Sequence, residues 1–209
     1  MLTLYGSQGS GSAAIEMALR ACDLTYRVVR ASTWEADSAR EALAKLNPLG
    51  QIPTLQLEDG SVLTESAAIL IHLGLSHPSS GLLPPDASAR AQTIRGLVFI
   101  AANCYSAISV GDYPERWTLA TAAAEQDKVR QAARTQLHSH WAIFADTFDA
   151  APYLGGVSPS ALDYLAVVVS KWSGTRAYLG THRAEFLATL QRIEANPIVA
   201  SVIREHWPQ

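Results

Sequence analysis

Tyr5-Gly6-Ser7-Gln8-Gly9-Ser10-Gly11-Ser12 sets three serines among three glycines, just ahead of an amphipathic run. Glycines let backbone amides come close to a ligand, and a helix N-terminus offers unpaired N–H groups and a dipole that favour an anion. Three familiar motifs fail on spacing. Glycines at 6, 9 and 11 do not make Gly-x-Gly-x-x-Gly, no Gly-Lys-Ser/Thr precedes the run, and Gly9-Ser10-Gly11 is too tight for a Gly-x-Ser-x-Gly nucleophile elbow. Two readings remain. In one, Ser10 and Ser12 face an oxyanion or thiolate; in the other, Ser12 caps the helix and the glycines only make the turn. The six histidines supply no metal set: His138 and His140, two apart on a predicted helix, diverge by roughly 200°, so no metal is expected.

The elements that must position this loop change character midway along the chain. Leu2 to Tyr5 reads as a short strand, and Ala13 to Ala21 places Ile15, Ala18, Leu19 and Cys22 on one helical face. Tyr26 to Arg30 is a second strand and Ser38 to Leu46 a second helix, closed by Asn47-Pro48-Leu49-Gly50. Thr54 to Leu57 and Val62 to Thr64 flank the hairpin signal Glu58-Asp59-Gly60-Ser61, and Glu65 to His77 resumes the helical period. The order is βαβ-α-ββα. A Pro-rich connector over 78–87 then separates residues 1–77 from an all-helical stretch, 88–209. Helices are predicted there at Ala89–Val110, Ala120–Asp149, Ser160–Trp172, His182–Ala195 and Pro197–His206, with a capping box at Ser160 to Asp163.

Composition narrows the class. A chain of 209 residues with 48% apolar content can bury a sizeable core in one large domain or two small ones. Net charge of -3 without a basic run speaks against nucleic acid. No leader pattern and no stretch of ~18 uninterrupted apolar residues point to a soluble, cytoplasmic protein with no membrane partner. Cys22 and Cys104, far apart among helix formers, read as reduced, buried thiols.

Residues 47–73, NPLGQIPTLQLEDGSVLTESAAILIHL, together with LYGSQGSGSAAIEMAL and the helical second half, resemble the cytosolic glutathione transferases over both halves of the chain. The resemblance implies an α/β thioredoxin-like domain followed by an all-α domain. It places glutathione on Gln51, Ile52, Pro53, Glu65 and Ser66: a cis Ile52-Pro53 bond and Ile52 backbone groups for the extended tripeptide, Glu65 for its ammonium group, and Ser66 for the adjacent carboxylate. Lys45 or Trp34 is a candidate for the ligand's glycine end. A free thiol with a pKa of ~8.5 is mostly protonated at neutral pH, so a donor beside the sulfur is needed. Ser10 stands where theta-like and many bacterial members carry a catalytic serine, with Ser12 as its rival. Gly11 takes the place of the beta-class cysteine, and Ser10-Gly11-Ser12 departs from the Ser-Ser-Cys of maleylacetoacetate isomerases. Tyr5, inside the first strand, is expected to pack in the core. Tyr105, Ile108, Tyr113 and Trp117 are candidate walls for a small hydrophobic electrophile, with Asn103 near the thiol; bundle core or dimer interface is the competing reading. The resemblance further implies a homodimer and a detoxifying transferase or a hydroperoxide reductase. A non-catalytic ligand-binding or protein-interaction module of the same fold is the alternative.

Overall fold

The computed structural model describes residues 1–32, 34–35, 37–150 and 152–208. Strand β1 (Leu2–Gly6) leads through α1 (Ser12–Ala21) to β2 (Tyr26–Arg30), which lies parallel to β1. After α2 (Arg40–Leu46), β3 (Thr54–Gln56) pairs antiparallel with the other edge of β1, and β4 (Val62–Leu63) completes the sheet in the order β2-β1-β3-β4. Helix α3 (Ser66–Ser76) closes this half, so the βαβ-α-ββα order and the thioredoxin-like architecture both stand.

Pairing register explains why distant stretches meet. Tyr5 lies opposite Thr54 and Leu55 opposite Leu63. Continuing both ladders past Thr54 brings Gly6, Pro53 and Glu65 to one end of the sheet. The 12-residue interval between Pro53 and Glu65 is the arc of the β3–β4 hairpin. Tyr5 is buried with Ala31 and Leu43 beneath that end, as a core residue.

The connector is anchored. Leu82 and Leu83 are buried, and Ala161 N–H donates to the Leu82 carbonyl at 2.9 Å. Asp86 accepts from Ala89 N–H and starts α4 (Ala87–Phe99) two residues before the expected Ala89. The single helix expected over 89–110 is instead α4, a π-helical stretch at Ile100–Tyr105 and α5 (Ser106–Asp112). By length and composition, Ala87–Asp112 would suffice to cross a membrane. Yet Leu97, Ile100, Cys104 and Ile108 are buried along it in the same apolar core as α6 (Ala123–Thr147) and α7 (Ala161–Val169), as in a bundle helix.

Helix α7 is buried along its whole length, which its nearly unbroken apolar sequence ALDYLAVVV requires. The helix expected at His182–Ala195 is α9 (Ala184–Glu194), and a further helix, α8 (Thr175–His182), not expected from the sequence, precedes it. Arg183, at φ -146°, separates them, and Gly174, at φ +75°, opens α8. The sequence TRAYLGTH has a weak apolar stripe and an internal glycine, so α8 leaves little periodic signal. Helix α10 (Pro197–His206) returns the chain to α1.

One apolar cluster runs through both halves, from Leu4 and Leu55 of the sheet through α1 to Trp141 and Phe144 of α6. Buried Asp163 anchors the α7 end of it, accepting from the Leu154, Gly155 and Ser160 N–H groups and from Ser160 Oγ at 2.8–2.9 Å. Burial pushes its carboxyl above the ordinary range, and these donors oppose the push. Asp163→Asn turns an amide NH2 toward donors and should cost ~1–3 kcal/mol in urea unfolding, more than the ~1 kcal/mol expected for Ser160→Ala. Equal losses would show that the carboxylate is dispensable.

Candidate active site

The first loop is held by its own hydroxyls. Ser7 N–H faces both Ser10 Oγ and Ser12 Oγ at 3.3 Å. Ser10 Oγ–H donates to the Ser7 carbonyl at 2.7 Å, while Ser12 Oγ lies 2.9 Å from Ser10 Oγ and 3.3 Å from that carbonyl. Each hydroxyl has one proton, so both donors are spent inside the loop, and both serines are buried. Direct donation from Ser10 to a ligand sulfur therefore requires its hydroxyl to turn. Ser12 is the first residue of α1 and Gly11 its N-cap, and the Ser12 N–H donates to Ser10 Oγ at 3.2 Å, so the hydroxyl that meets the helix start is Ser10's. The plain capping role for Ser12 is thus not what this loop shows. Ser7 Oγ donates onward to Glu35 at 2.8 Å, and hydrogen bonds from Ser32 and Ser7 hold the Glu35 carboxyl below its ordinary range.

Across the sheet end, the Ile52–Pro53 bond is cis. Asn47, buried, braces the turn in front of it: its Nδ2 donates to the Gln51 carbonyl at 3.0 Å and to Thr54 Oγ1 at 3.1 Å. Among the described residues, neither the N–H nor the C=O of Ile52 is taken up by another backbone group, leaving both for an extended ligand. Glu65 stands exposed at φ +63°, a left-handed conformation rare for a non-glycine residue and a recurrent mark of functional positions. Its carboxylate has no hydrogen-bonding or ionic partner among the described residues. Ser66, buried, begins α3 beside it. Gln51 is exposed at the same turn, and Trp34 is exposed on the loop after β2.

The helical half contributes unequally. Tyr105, at the end of the π stretch, reaches the first loop: a Cβ built on Gly11 would collide with the Tyr105 hydroxyl and lie 3.3 Å from Cζ and 3.6 Å from Pro53 Cδ. Its ring meets Trp172 edge-on at 5.6 Å. Burial, reinforced by the charge of Asp112, pushes its phenol well above the ordinary range. Ile108 belongs to the buried core, Tyr113 lies under the Arg116 guanidinium at 4.0 Å from the ring centroid, and Trp117 is exposed. Asn103 turns to its own helix, donating to Phe99 O at 3.1 Å, away from a thiol role. Cys104 is sealed, its thiol pushed up to about 12 by burial, which removes it as a nucleophile; Cys22 is half-buried, and both are free. Depressions of about 370 and 590 Å³ lie along α6, lined by residues such as His138 and Thr135, and include none of the sequence-predicted site residues.

Sequence reasoning missed the clamp from the far end of the chain. Gly9 N–H donates to His206 Nδ1 at 3.2 Å, so Nε2 carries the ring proton and faces Glu16 Oε1 at 2.8 Å. Gln8 Nε2 donates to the Glu205 carbonyl at 2.7 Å. Nothing local links position 9 to position 206. The hint in the sequence was a glutamate, Glu16, among the apolar residues Ala13 to Leu19 of α1.

Comparison with known proteins agrees with this architecture. The family profile described as glutathione S-transferase, N-terminal domain, matches residues 12–75. The GST-like protein YncG of Escherichia coli strain K12 is 31% identical over 208 residues, covering 99% of this chain and 98% of that protein. Glutathione S-transferase GstA of Escherichia coli O157:H7 is 33% identical over 100 residues, covering 46% and 50%. A glutathione transferase homologue from Sulfitobacter, solved with bound glutathione, superposes with a TM-score of 0.85 at 26% identity, covering 97% and 96%. The chain belongs to the glutathione S-transferase family.

Replacing His206 by Ala would leave the buried Glu16 carboxylate with only the Tyr26 hydroxyl, 3.4 Å away, and release the Gly9 amide as well. The expected loss is ~1–3 kcal/mol in urea unfolding, with faster hydrogen exchange at the Gly9 amide. Wild-type values for both would show that the clamp does not hold the loop.

Proposed function

We propose that this chain is a glutathione transferase that joins the glutathione thiolate to small hydrophobic electrophiles. Residues 1–77 take the tripeptide, 78–87 connect, and 88–209 take the electrophile. The observation that carries this reading is the free Ile52 backbone edge, next to Pro53 at the sheet end toward which the continued β3–β4 ladder brings the unpartnered Glu65 carboxylate and the buried Ser66 at the start of α3. An extended peptide fits the first, its ammonium group the second, and its neighbouring carboxylate the amides and hydroxyl of the third. Gln51 and Pro53 shape the edge. The sulfur then lies against the first loop, which Ser10 and Ser12 hold in place at the start of α1.

In the chemical step the S–H proton passes to solvent water, sulfur attacks the electrophilic carbon, the S–C bond forms, and a leaving group departs with its electron pair or, in an addition, the carbon framework takes a proton back from solvent. The walls for the electrophile are Tyr105 and Tyr113, with Trp117 at the rim and Ile108 behind them. Hydroperoxides are a second substrate class for the same thiolate. The protein acts in the cytoplasm as a homodimer in which each site lies near the interface.

Glu65→Ala should lower glutathione affinity at least about tenfold, the loss of one charge-assisted hydrogen bond to the ammonium group. Calorimetry checks it, and unchanged affinity would reduce Glu65 to a helix-start residue. Wild-type protein that binds glutathione yet turns over neither chlorodinitrobenzene nor cumene hydroperoxide would favour a non-catalytic ligand carrier. Sedimentation at micromolar concentration should give twice the 22.5 kDa chain mass; the single-chain mass would sink the dimer.

A further inference from the structure

We propose that the Tyr105 hydroxyl, delivered from the helical half, is the hydrogen-bond donor to the glutathione sulfur. The inference rests on the reading of the site as a glutathione site and assigns within it the donor that the first loop lacks.

Three observations converge on Tyr105. The first is proton accounting. Ser10 Oγ–H is given to the Ser7 carbonyl, and Ser12 Oγ–H to Ser10 Oγ or the same carbonyl, so neither serine has a proton left for a ligand. Among the described residues, the Tyr105 hydroxyl makes no hydrogen bond, although it lies against this same loop. The second is position. The space into which a side chain at Gly11 would project, from the N-cap of α1 and beside Pro53, is filled by Tyr105 Oη. Lacking a Cβ, Gly11 lets a phenol from another part of the chain stand where a residue of the loop itself would otherwise reach out. Pro53 follows directly on Ile52, the edge proposed to pair with the ligand's backbone, so the hydroxyl and the ligand's central residue share one corner.

The third is delivery. The six-residue π stretch at Ile100–Tyr105 inserts a turn of different pitch between α4 and α5 and so sets the direction of Tyr105. The stretch is braced from outside: His140 Nδ1–H donates to the Asn103 carbonyl at 3.1 Å, and the Tyr105 ring is held edge-on by Trp172. Burial and the nearby Asp112 keep the phenol protonated, so it presents an O–H throughout the range in which a thiol ionises.

Ultraviolet titration of the thiolate of bound glutathione tests the assignment in wild type, Tyr105→Phe and Ser10→Ala, beside calorimetry and turnover of chlorodinitrobenzene. Phe keeps the ring against Trp172 and removes only the hydroxyl. Tyr105→Phe should bind glutathione with nearly wild-type affinity but titrate at higher pH. Its turnover at neutral pH should fall by on the order of tenfold to a hundredfold and recover as pH is raised. Gly11→Ala, which drives a methyl group into Oη, should shift the titration in the same direction. A wild-type titration curve in Tyr105→Phe, with a shift in Ser10→Ala alone, would overturn the proposal and return the donor role to Ser10. Absence of glutathione binding by wild type would instead overturn the underlying reading of the site.

Discussion

Burial of α1 is the constraint on which the rest of the structure depends. Eight consecutive residues, Ser12 to Leu19, are shielded from water, because the helix lies between the sheet, α3, α7 and α10. A helix closed in on every side cannot leave its N-terminus to solvent, so the amides at its start must find partners in the loop before it or in a ligand. The loop of small residues answers that need. Its glycines allow close approach, and its hydroxyls satisfy one another at the entrance. The same packing makes the two halves a single apolar body, since Ile15, Met17 and Leu19 contribute to a core shared with α7, at ~1.5–3 kcal/mol per large apolar side chain.

A buried helix also makes any charge on it expensive. Glu16 is tolerated because His206 meets it, and the other ring nitrogen of that histidine takes the Gly9 amide. Arg20, one turn further along α1, bonds to Glu205, Ser201 and Tyr26, fixing α10 beside it. The end of the chain thus stabilises the fold and sets the position of the first loop with the same contacts. In this molecule, stability and site geometry are not separable at α1.

The site itself lies on a boundary. Strand register gathers the first loop, Pro53 and Glu65 at one sheet end, while the π stretch sends Tyr105 across from the helical half. The Ile52 edge, Glu65 and Ser66 come from one half and the Tyr105 hydroxyl from the other.

Local chemistry in the chain determined a good deal. Strand and helix order, the 58–61 hairpin, the Ser160–Asp163 capping box and the buried place of Tyr5 were legible, because periodicity, turn residues and caps act over a few neighbours. The stretch Gln51-Ile52-Pro53 and the pair Glu65-Ser66 were singled out by resemblance to glutathione transferases rather than by local propensity, and the hairpin between them converts their sequence spacing into adjacency. What only the tertiary structure decided was where protons and side chains point. Nothing near Ser10 and Ser12 in sequence reveals that both hydroxyls turn inward to Ser7, because the choice depends on α1 being buried beneath them. That Tyr105 comes up against the first loop likewise depends on the π stretch, which breaks the uniform helical spacing its sequence suggests. The Glu16–His206–Gly9 clamp joins positions 190 residues apart, a contact specified by the packing of α10 on α1 and by no local propensity.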